Sequence, residues 1–325
     1  MANPVAPIAL TCGEPAGIGP ELAIKAWQAL ECQIDFFWIG DPAHLPDGAP
    51  IKLINSPSEA PLAMAHGLPV LPHGFAAPAT PGQPAPANAQ GVIDAVRRAV
   101  SLVQNGQAGA ICTLPIHKKA LIDGANFAYP GHTEFLADLG GVDRVVMMLA
   151  SEQLRVVPAT IHIALRDVPD AFTPALLRET ITITAHALSD QFAIPAPRIA
   201  IAGLNPHAGE GGAMGQEELD WMVPLIADMR GEGFDLTGPL PSDTMFHPAA
   251  RARYDVAICA YHDQALIPIK TLDMDRGVNV TLGLPFVRTS PDHGTAFDIA
   301  GQGIASETST VEALKLASTM ASKRA

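Results

Sequence analysis

Three histidines accompany apolar stretches that are typical of buried strands: His162 in ATIHIAL, His207 in GLNPHAGEGG and His262 in CAYHDQ. The first lies in or near a predicted strand, and the other two come just after one. Because the carboxyl ends of parallel strands meet at one sheet edge, these imidazoles could form an open metal site. The spacings, 162 to 207 and 207 to 262, match no local zinc motif, so separately packed histidines are the alternative. His132 in PGHTEF is a fourth candidate.

The loop that carries His207 is rich in glycine. Gly209, Gly211 and Gly212 permit positive φ and a close approach of the backbone to a ligand. A helix predicted just after them would favour a bound phosphate. Another glycine-rich loop, TCGEPAGIGPE, follows the first predicted strand and matches neither standard nucleotide motif. Leu22 occupies the position of the last glycine of the dinucleotide fingerprint, and the second glycine and the lysine of a P-loop are missing.

Carboxylates and cations follow other predicted strands. Asp243 in GPLPSDT and Asp263, next to His262, could ligate a metal, orient an imidazole or act as a base. The structural alternative for Asp263 is a helix N-cap. Lys270 and Arg288 could clamp a carboxylate or a phosphate, and a surface ion pair is the alternative for either.

Apolar runs alternate with amphipathic stretches along the chain, which predicts an α/β protein with a mostly parallel sheet. The predicted strands have the sequences PIALT, DFFWIG, AGAICT, RVVMMLA, RIAIAGL, DVAICAY and GVNVTLG. The predicted helices span residues 21–30, 92–104, 174–189, 216–229 and 311–321.

Composition narrows the class of protein. The 325 residues, 48% of them hydrophobic, suffice for two domains or for one large α/β unit. A formal net charge of −13 argues against nucleic-acid or anionic-membrane partners. No apolar run reaches the roughly 18 residues that span a bilayer, and the first residues do not resemble a signal peptide. We therefore expect a cytoplasmic protein whose four cysteines are reduced.

Several long segments together resemble the 4-hydroxythreonine-4-phosphate dehydrogenase family of vitamin B6 biosynthesis. They are GEPAGIGPE, PGHTEFLA, LNPHAGEGG with GQEE, GPLPSDT, YHDQALIPIK and GVNVTLGLPFVRTSPDHGTAFDIAG. The segments run from residue 13 to residue 301, so the resemblance covers most of the chain.

The resemblance implies roles for individual residues. It places a divalent metal (zinc, magnesium or cobalt) on His162, His207 and His262, and NAD or NADP near Asn205, Gly209, Gly211 and Gly212. It places substrate contacts on His132, Thr133, Lys270, Asn279 and Arg288. The base that removes the substrate proton stays open among Asp243, Asp263, Lys270 and a bound water.

The resemblance also implies an architecture. The fold would be the two-domain α/β/α fold of isocitrate and isopropylmalate dehydrogenases, with the active site in the interdomain cleft. The first domain would comprise residues 1–134 with 289–325, and the second residues 135–288. The protein would be a homodimer whose active site lies at the subunit interface.

The implied reaction is the NAD(P)-dependent and metal-dependent oxidation and decarboxylation of 4-phosphooxy-L-threonine to 3-amino-2-oxopropyl phosphate, in pyridoxal 5'-phosphate biosynthesis. One alternative is the same chemistry on D-threonate or D-erythronate 4-phosphate, or on an aromatic cis-dihydrodiol carboxylate. Alternatives of other classes are a phosphate acetyltransferase-like enzyme, which uses neither metal nor nicotinamide, and a non-catalytic binding protein.

Overall fold

A computed structural model describes residues 6–324, which form two compact α/β units. Unit 1 contains the described residues up to Val145 and those from Leu284 onward, and unit 2 spans Val146–Gly283. The strands are β1 (Ile8–Thr11), β2 (Phe36–Gly40), β3 (Ile51–Leu53), β4 (Leu68–Pro72), β5 (Ile111–Thr113), β6 (Val146–Ala150), β7 (Arg155–Pro158), β8 (Ile199–Ala202), β9 (Leu236–Leu240), β10 (Val256–Cys259), β11 (Val278–Leu282) and β12 (Arg288–Pro291). The α-helices are α1 (Gly19–Leu30), α2 (Ala60–Ala63), α3 (Ala89–Gln104), α4 (Lys118–Ala125), α5 (His132–Gly140), α6 (Val168–Ala171), α7 (Pro174–Phe192), α8 (Val223–Gly231), α9 (Pro248–Arg251), α10 (His262–Leu272) and α11 (Thr308–Arg324).

The sheet of unit 1 has the strand order β3-β4-β2-β1-β5-β12, and its neighbouring strands are parallel. Strands β1 and β2 are buried along their whole length, with Phe36, Phe37 and Trp38 among the largest buried side chains. Continuous apolar strands of this kind are expected where helices cover both faces of a parallel sheet. Helix α1 begins with Pro20 in its first turn and buries the apolar face that its sequence predicts.

The sheet of unit 2 has the strand order β11-β6-β7-β10-β8-β9. Strands β7, β10, β8 and β9 are parallel, whereas β11 and β6 pair antiparallel, as do β6 and β7. The core of this unit packs Val156, Ala257 and Cys259 of the sheet against Ala265 and Ile269 of α10. The parallel half of the sheet therefore directs three consecutive strand ends, those of β7, β10 and β8, toward the same edge.

The predicted α/β class is confirmed, and each of the seven predicted strands and five predicted helices has a counterpart. The strands that the sequence did not reveal are β3, β4, β7, β9 and β12, which are short, and four of which contain proline. The stretch ATIHIAL does not form a strand. Strand β7 ends at Pro158, and His162 lies beyond it with φ of 53°.

The boundaries of the two units differ by several residues from those of the predicted domains. The predicted limit after residue 134 falls inside α5, which is a continuous helix of unit 1. The predicted limit after residue 288 assigns Arg288 to the second domain. In the structure Arg288 begins β12 and pairs with Ile111 of β5, so it belongs to the sheet of unit 1.

The described part of the chain also bears on membrane association and disulfides. Within residues 6–324, no helix combines the length and the apolar character needed to cross a bilayer. The four cysteines are free thiols, as expected, and burial raises the pKa of the Cys112 thiol to about 12.

Candidate active site

The three histidines predicted to bind metal follow three adjacent parallel strands of unit 2. His162 follows β7, His262 begins α10 just after β10, and His207 lies in the turn after β8. The ring centroids of His162 and His262 are 5.6 Å apart. Within residues 6–324, no three His, Cys, Asp or Glu side chains are close enough together to hold a metal ion. The structure thus pairs two of the predicted ligands and leaves His207 apart from them.

Two buried polar side chains tie these strand ends together. The carbonyl oxygen of Ala260 accepts hydrogen bonds from the backbone N–H of Thr160 at 3.1 Å and from its hydroxyl at 2.7 Å. The side-chain amide of Gln264 accepts a bond from the N–H of Ala260 at 2.7 Å and donates one to the carbonyl of Gly203 at 2.8 Å. The loops that carry the three histidines therefore start from fixed positions.

The imidazole of His262 is oriented by its neighbour. Its Nδ1 lies 2.7 Å from Oδ1 of Asp263. Because a carboxylate oxygen accepts, Nδ1 carries the hydrogen, and in the neutral imidazole the lone pair then stands on Nε2, an arrangement that metal-binding histidines share. Asp263 is therefore not the helix N-cap that its sequence position suggested. Helix α10 begins one residue earlier, and Tyr261 is at its N-cap.

His207 opens a run of six residues, 207–212, with positive φ, which we call the left-handed turn. The φ values of Gly209, Gly211 and Gly212 are 83°, 62° and 94°, as the glycine content predicts. His207, Ala208 and Glu210 are in the same region, where each non-glycine residue costs about 1–2 kcal/mol. Such strain is maintained only by the surrounding structure and clusters at functional sites.

Two depressions of unit 2 bring candidate side chains together. A cleft of ≈ 280 Å³ is lined by His162, His262, Asp263 and Tyr261, among others. A second groove, of ≈ 480 Å³, is lined by Asp243, Asp263 and Tyr261 together with apolar residues of α10. The two aspartates that the sequence proposed as bases therefore line one groove.

The remaining candidates of unit 2 lie farther along its elements. Lys270 is partly buried in the last turn of α10. Asn279 is the second residue of β11, opposite Leu149 of β6. Asn205 precedes the left-handed turn, and its side-chain amide donates to the carboxylates of Glu217 and Glu218 at 2.7 and 2.9 Å. That amide nitrogen thus has two protein acceptors.

Unit 1 holds the other predicted substrate-binding residues. Arg288 is 4% exposed, and its Nε and Nη2 donate to the hydroxyl of Thr113 at 3.1 and 2.7 Å. His132 and Thr133 open helix α5, with Gly131 at its N-cap. The Nε2 atom of His132 is buried, and among the described residues it has no hydrogen-bond partner.

Burial lowers the pKa values of both Arg288 and His132. It lowers the pKa of the Arg288 guanidinium to about 10, so the group stays cationic at neutral pH. Burial, and then the charge of Arg288, lowers the pKa of His132 well below its usual 6.5. A buried cation beside a neutral imidazole with an unused nitrogen can bind an anionic oxygen and its neighbouring hydroxyl.

The sequence did not point to Thr113, Thr160, Gln264 or Glu218. Each acts through hydrogen bonds to residues that are distant in sequence; Thr113 and Arg288, for example, are 175 positions apart. Glu218 is the last residue of the segment GQEE, but the segment itself gives no sign that its carboxyl group contacts the left-handed turn.

Comparison with known proteins identifies relatives over nearly the full chain. The family model described as pyridoxal phosphate biosynthetic protein PdxA matches residues 33–317. A protein of Ruegeria sp. (strain TM1040) named 4-hydroxythreonine-4-phosphate dehydrogenase is 65% identical over 98% of this chain and 97% of its own length. A protein of the same name from Roseobacter denitrificans is 64% identical over 99% of each chain.

Solved structures agree with these relatives. A 4-hydroxythreonine-4-phosphate dehydrogenase from Klebsiella pneumoniae matches with a TM-score of 0.90 and 38% identity, over 98% of each chain. A terephthalate 1,2-cis-dihydrodiol dehydrogenase from Burkholderia xenovorans matches with a TM-score of 0.67 and 26% identity, over 97% of this chain and 98% of its own. A branched-chain phosphotransacylase from Enterococcus faecalis shares the fold alone, at 15% identity and a TM-score of 0.58, over 97% of this chain and 99% of its own. The chain therefore belongs to the PdxA family, as its motifs indicated.

Proposed function

We propose that this protein is a 4-hydroxythreonine-4-phosphate dehydrogenase of pyridoxal phosphate biosynthesis. It would oxidise 4-phosphooxy-L-threonine with NAD or NADP as the hydride acceptor, in a reaction that requires a divalent metal. The oxidised substrate would then lose CO2 to give 3-amino-2-oxopropyl phosphate. The observation that carries the proposal is the placement of His162, His207 and His262 after three adjacent parallel strands of unit 2. The names of the relatives support the choice of substrate.

The residues of unit 2 fit a divalent metal in donor type and in backbone placement. His162 and His262 are already neighbours, and Nε2 of His262 is left for a ligand by the bond to Asp263. His207 is the exposed third imidazole, on the adjacent strand end. A metal held by these residues would supply Lewis-acid chemistry toward substrate oxygens. Three neutral imidazoles suit zinc, and oxygen ligands from substrate would also admit magnesium, cobalt or manganese.

Cationic and polar side chains of both units are the candidates for binding the substrate. Arg288 offers a fixed and buried positive charge, and His132 and Thr133 offer polar side chains at the start of α5. Lys270 and Asn279 are the candidates of unit 2 for the same role.

The proton of the substrate alcohol needs an acceptor. Asp263 has one carboxylate oxygen engaged by His262, so positioning that imidazole is its better role. Asp243 lines the same groove and is exposed, and Lys270 is the other candidate. We therefore propose Asp243 or Lys270 as the proton acceptor.

The nicotinamide cofactor would approach the left-handed turn. Gly211 is exposed and Gly212 is partly exposed, so a ligand could reach the backbone there, whereas Gly209 is buried. The side-chain amide of Asn205 donates to Glu217 and Glu218. The cofactor would serve as the hydride acceptor. A homodimer is also proposed, and sedimentation equilibrium would test it.

A substrate panel tests the proposed function. Purified protein loaded with Zn²⁺, Mg²⁺ or Co²⁺ is mixed with NAD or NADP, and reduced nicotinamide is followed with each substrate, with and without chelator. Chelator-sensitive turnover of 4-phosphooxy-L-threonine is expected. Turnover of D-threonate or D-erythronate 4-phosphate alone would reassign the substrate, and no turnover of any would contradict the proposed activity.

A further inference from the structure

The conformation of the left-handed turn requires support from outside the turn. His207, Ala208 and Glu210 carry Cβ atoms that disfavour positive φ, and neither Ala208 nor Glu210 belongs to the residue types that are enriched there. The turn also presents the one predicted metal ligand that stands apart from the other two. Whatever holds the turn therefore controls where His207 lies.

The carboxyl group of Glu218 provides this support. The residue is 2% exposed, although glutamate is rarely buried without a partner. Its Oε1 accepts the backbone N–H of Asn205 at 2.8 Å, and its Oε2 accepts the side-chain amide of Asn205 at 2.9 Å. The carbonyl of Asn205 in turn accepts the N–H of Ala208 at 3.1 Å, inside the turn.

The same carboxyl group is in close contact with the turn. A Cβ atom added to Gly209 would lie 2.8 Å from Oε2 of Glu218, and one added to Gly203 would lie 3.2 Å from Oε1. The carboxyl group therefore fills the space between the end of β8 and the turn. Glu218 also begins a five-residue π-helix, Glu218–Met222, and such segments occur frequently at functional sites.

We propose that Glu218 is a positioning residue that holds His207 in place to bind the metal. The inference rests on the proposed function, since it requires His207 to be a ligand. When binding needs a conformation that only part of the molecules adopt, the apparent affinity falls by that fraction. Loss of the Glu218 contacts should thus weaken metal binding while the fold and the ligands themselves remain.

The direct test compares E218Q with E217Q by titration of the apoprotein with Co²⁺, followed by its visible absorption. In E218Q an NH₂ group replaces one of two oxygens that accept bonds from Asn205. Glu217 accepts from the side-chain amide of Asn205, but the backbone N–H of Asn205 donates to Glu218. Circular dichroism and the melting temperature check that each variant is folded.

We expect E218Q to bind Co²⁺ about 10- to 100-fold more weakly than wild type, and E217Q to stay within about threefold. At saturating Co²⁺ the band of E218Q should regain the wild-type shape, because the metal repopulates the turn. Wild-type affinity in E218Q, or equal weakening in E217Q, would overturn the inference.

A second pair of variants decides the matter if E218Q does not fold. Gly209→Ala and Gly211→Ala both place a side chain at positive φ, of 83° and 62°. Only at Gly209 would the new Cβ meet Glu218, because at Gly211 nothing lies within 4 Å. Gly209→Ala should weaken Co²⁺ binding at least ~10-fold more than Gly211→Ala. Equal effects would refute the positioning role.

His207→Ala separates this inference from the proposed metal site. If His207→Ala binds Co²⁺ as tightly as wild type, His207 is not a ligand, and both the metal site and the inference fail. If His207→Ala loses affinity while E218Q retains it, the metal site stands and only the role of Glu218 is wrong.

Discussion

The surroundings of Arg288 in unit 1 and of His207 in unit 2 differ in how the chain holds a candidate functional side chain. Arg288 is buried, begins a strand and donates two hydrogen bonds to Thr113. His207 is exposed and lies on a turn whose backbone is intrinsically unfavourable. The first is held by the folded sheet itself, whereas the second depends on local support from Asn205 and Glu218.

The two regions are therefore suited to different tasks. A buried cation that is fixed before substrate arrives loses little freedom on binding an anion, which favours recognition. An exposed imidazole on a strained turn keeps its position only through the contacts that hold the turn. Substitutions of Arg288 should therefore alter the stability of the ligand-free protein, and substitutions of His207 should alter metal binding alone.

The largest effect is expected for His207→Ala. Removal of one of three imidazole ligands should lower metal affinity by more than about 100-fold, since loss of an outer-shell partner alone costs 10- to 100-fold. The melting temperature of the apoprotein should hardly change, because the side chain is exposed. Calorimetric titration with Zn²⁺ measures the affinity, and His186→Ala, an exposed histidine of α7, is the matched control. Equal losses in the two variants would contradict the assignment.

Asp263→Asn should weaken metal binding by about 10-fold, because the bond that orients His262 loses its charge assistance. The same titration measures this effect, with Asp190→Asn on the exposed side of α7 as the control. Unchanged affinity in Asp263→Asn would leave Asp263 without a positioning role.

Arg288→Lys tests whether the buried hydrogen bonds to Thr113 stabilise unit 1. Lysine keeps the charge but cannot reproduce the two donors that reach Thr113, so the free energy of unfolding should fall by about 1–2 kcal/mol. Urea unfolding of the ligand-free protein measures this, and KM for the phosphorylated substrate should rise in the same variant. A fully stable Arg288→Lys protein would mean that the buried bonds are not what holds this region.

The last effect concerns pH. The pKa of His132 is well below 6.5 in the folded protein and near 6.5 in the unfolded chain. Below about pH 6.5 the unfolded chain takes up this proton and the folded protein does not. The free energy of unfolding therefore falls with pH there, by at most ~1.4 kcal/mol per pH unit, and His132 has no such effect above about pH 6.5. His132→Asn should therefore flatten the fall in melting temperature between about pH 6.5 and 5. An exposed-site control, His186→Asn, should keep the wild-type slope.

The structure confirms the predictions that rest on local sequence patterns, such as apolar runs and glycines. Long apolar runs located β1, β2, β8 and β10, and the runs of β8 and β10 placed His207 and His262 just after strand ends. The strand that precedes His162, β7, was not predicted. The glycines of the left-handed turn were expected at positive φ, and they are there.

What the sequence could not supply depends on tertiary contact. Ala208 and Glu210 have no preference for positive φ, so their conformation follows from the bonds of Asn205 to Glu218. Strand β12 begins at Arg288 and contains little apolar surface, and it is recognisable only from its pairing with β5.

X-ray absorption at the zinc edge tests whether His162, His207 and His262 bind one metal ion. Wild-type protein would be loaded with one equivalent of Zn²⁺ and compared with His207→Ala. We predict three imidazole ligands at about 2.0–2.1 Å in wild type and two in the variant. Sulfur ligands, or the same spectrum in both proteins, would contradict the assignment of His162, His207 and His262 as the metal site.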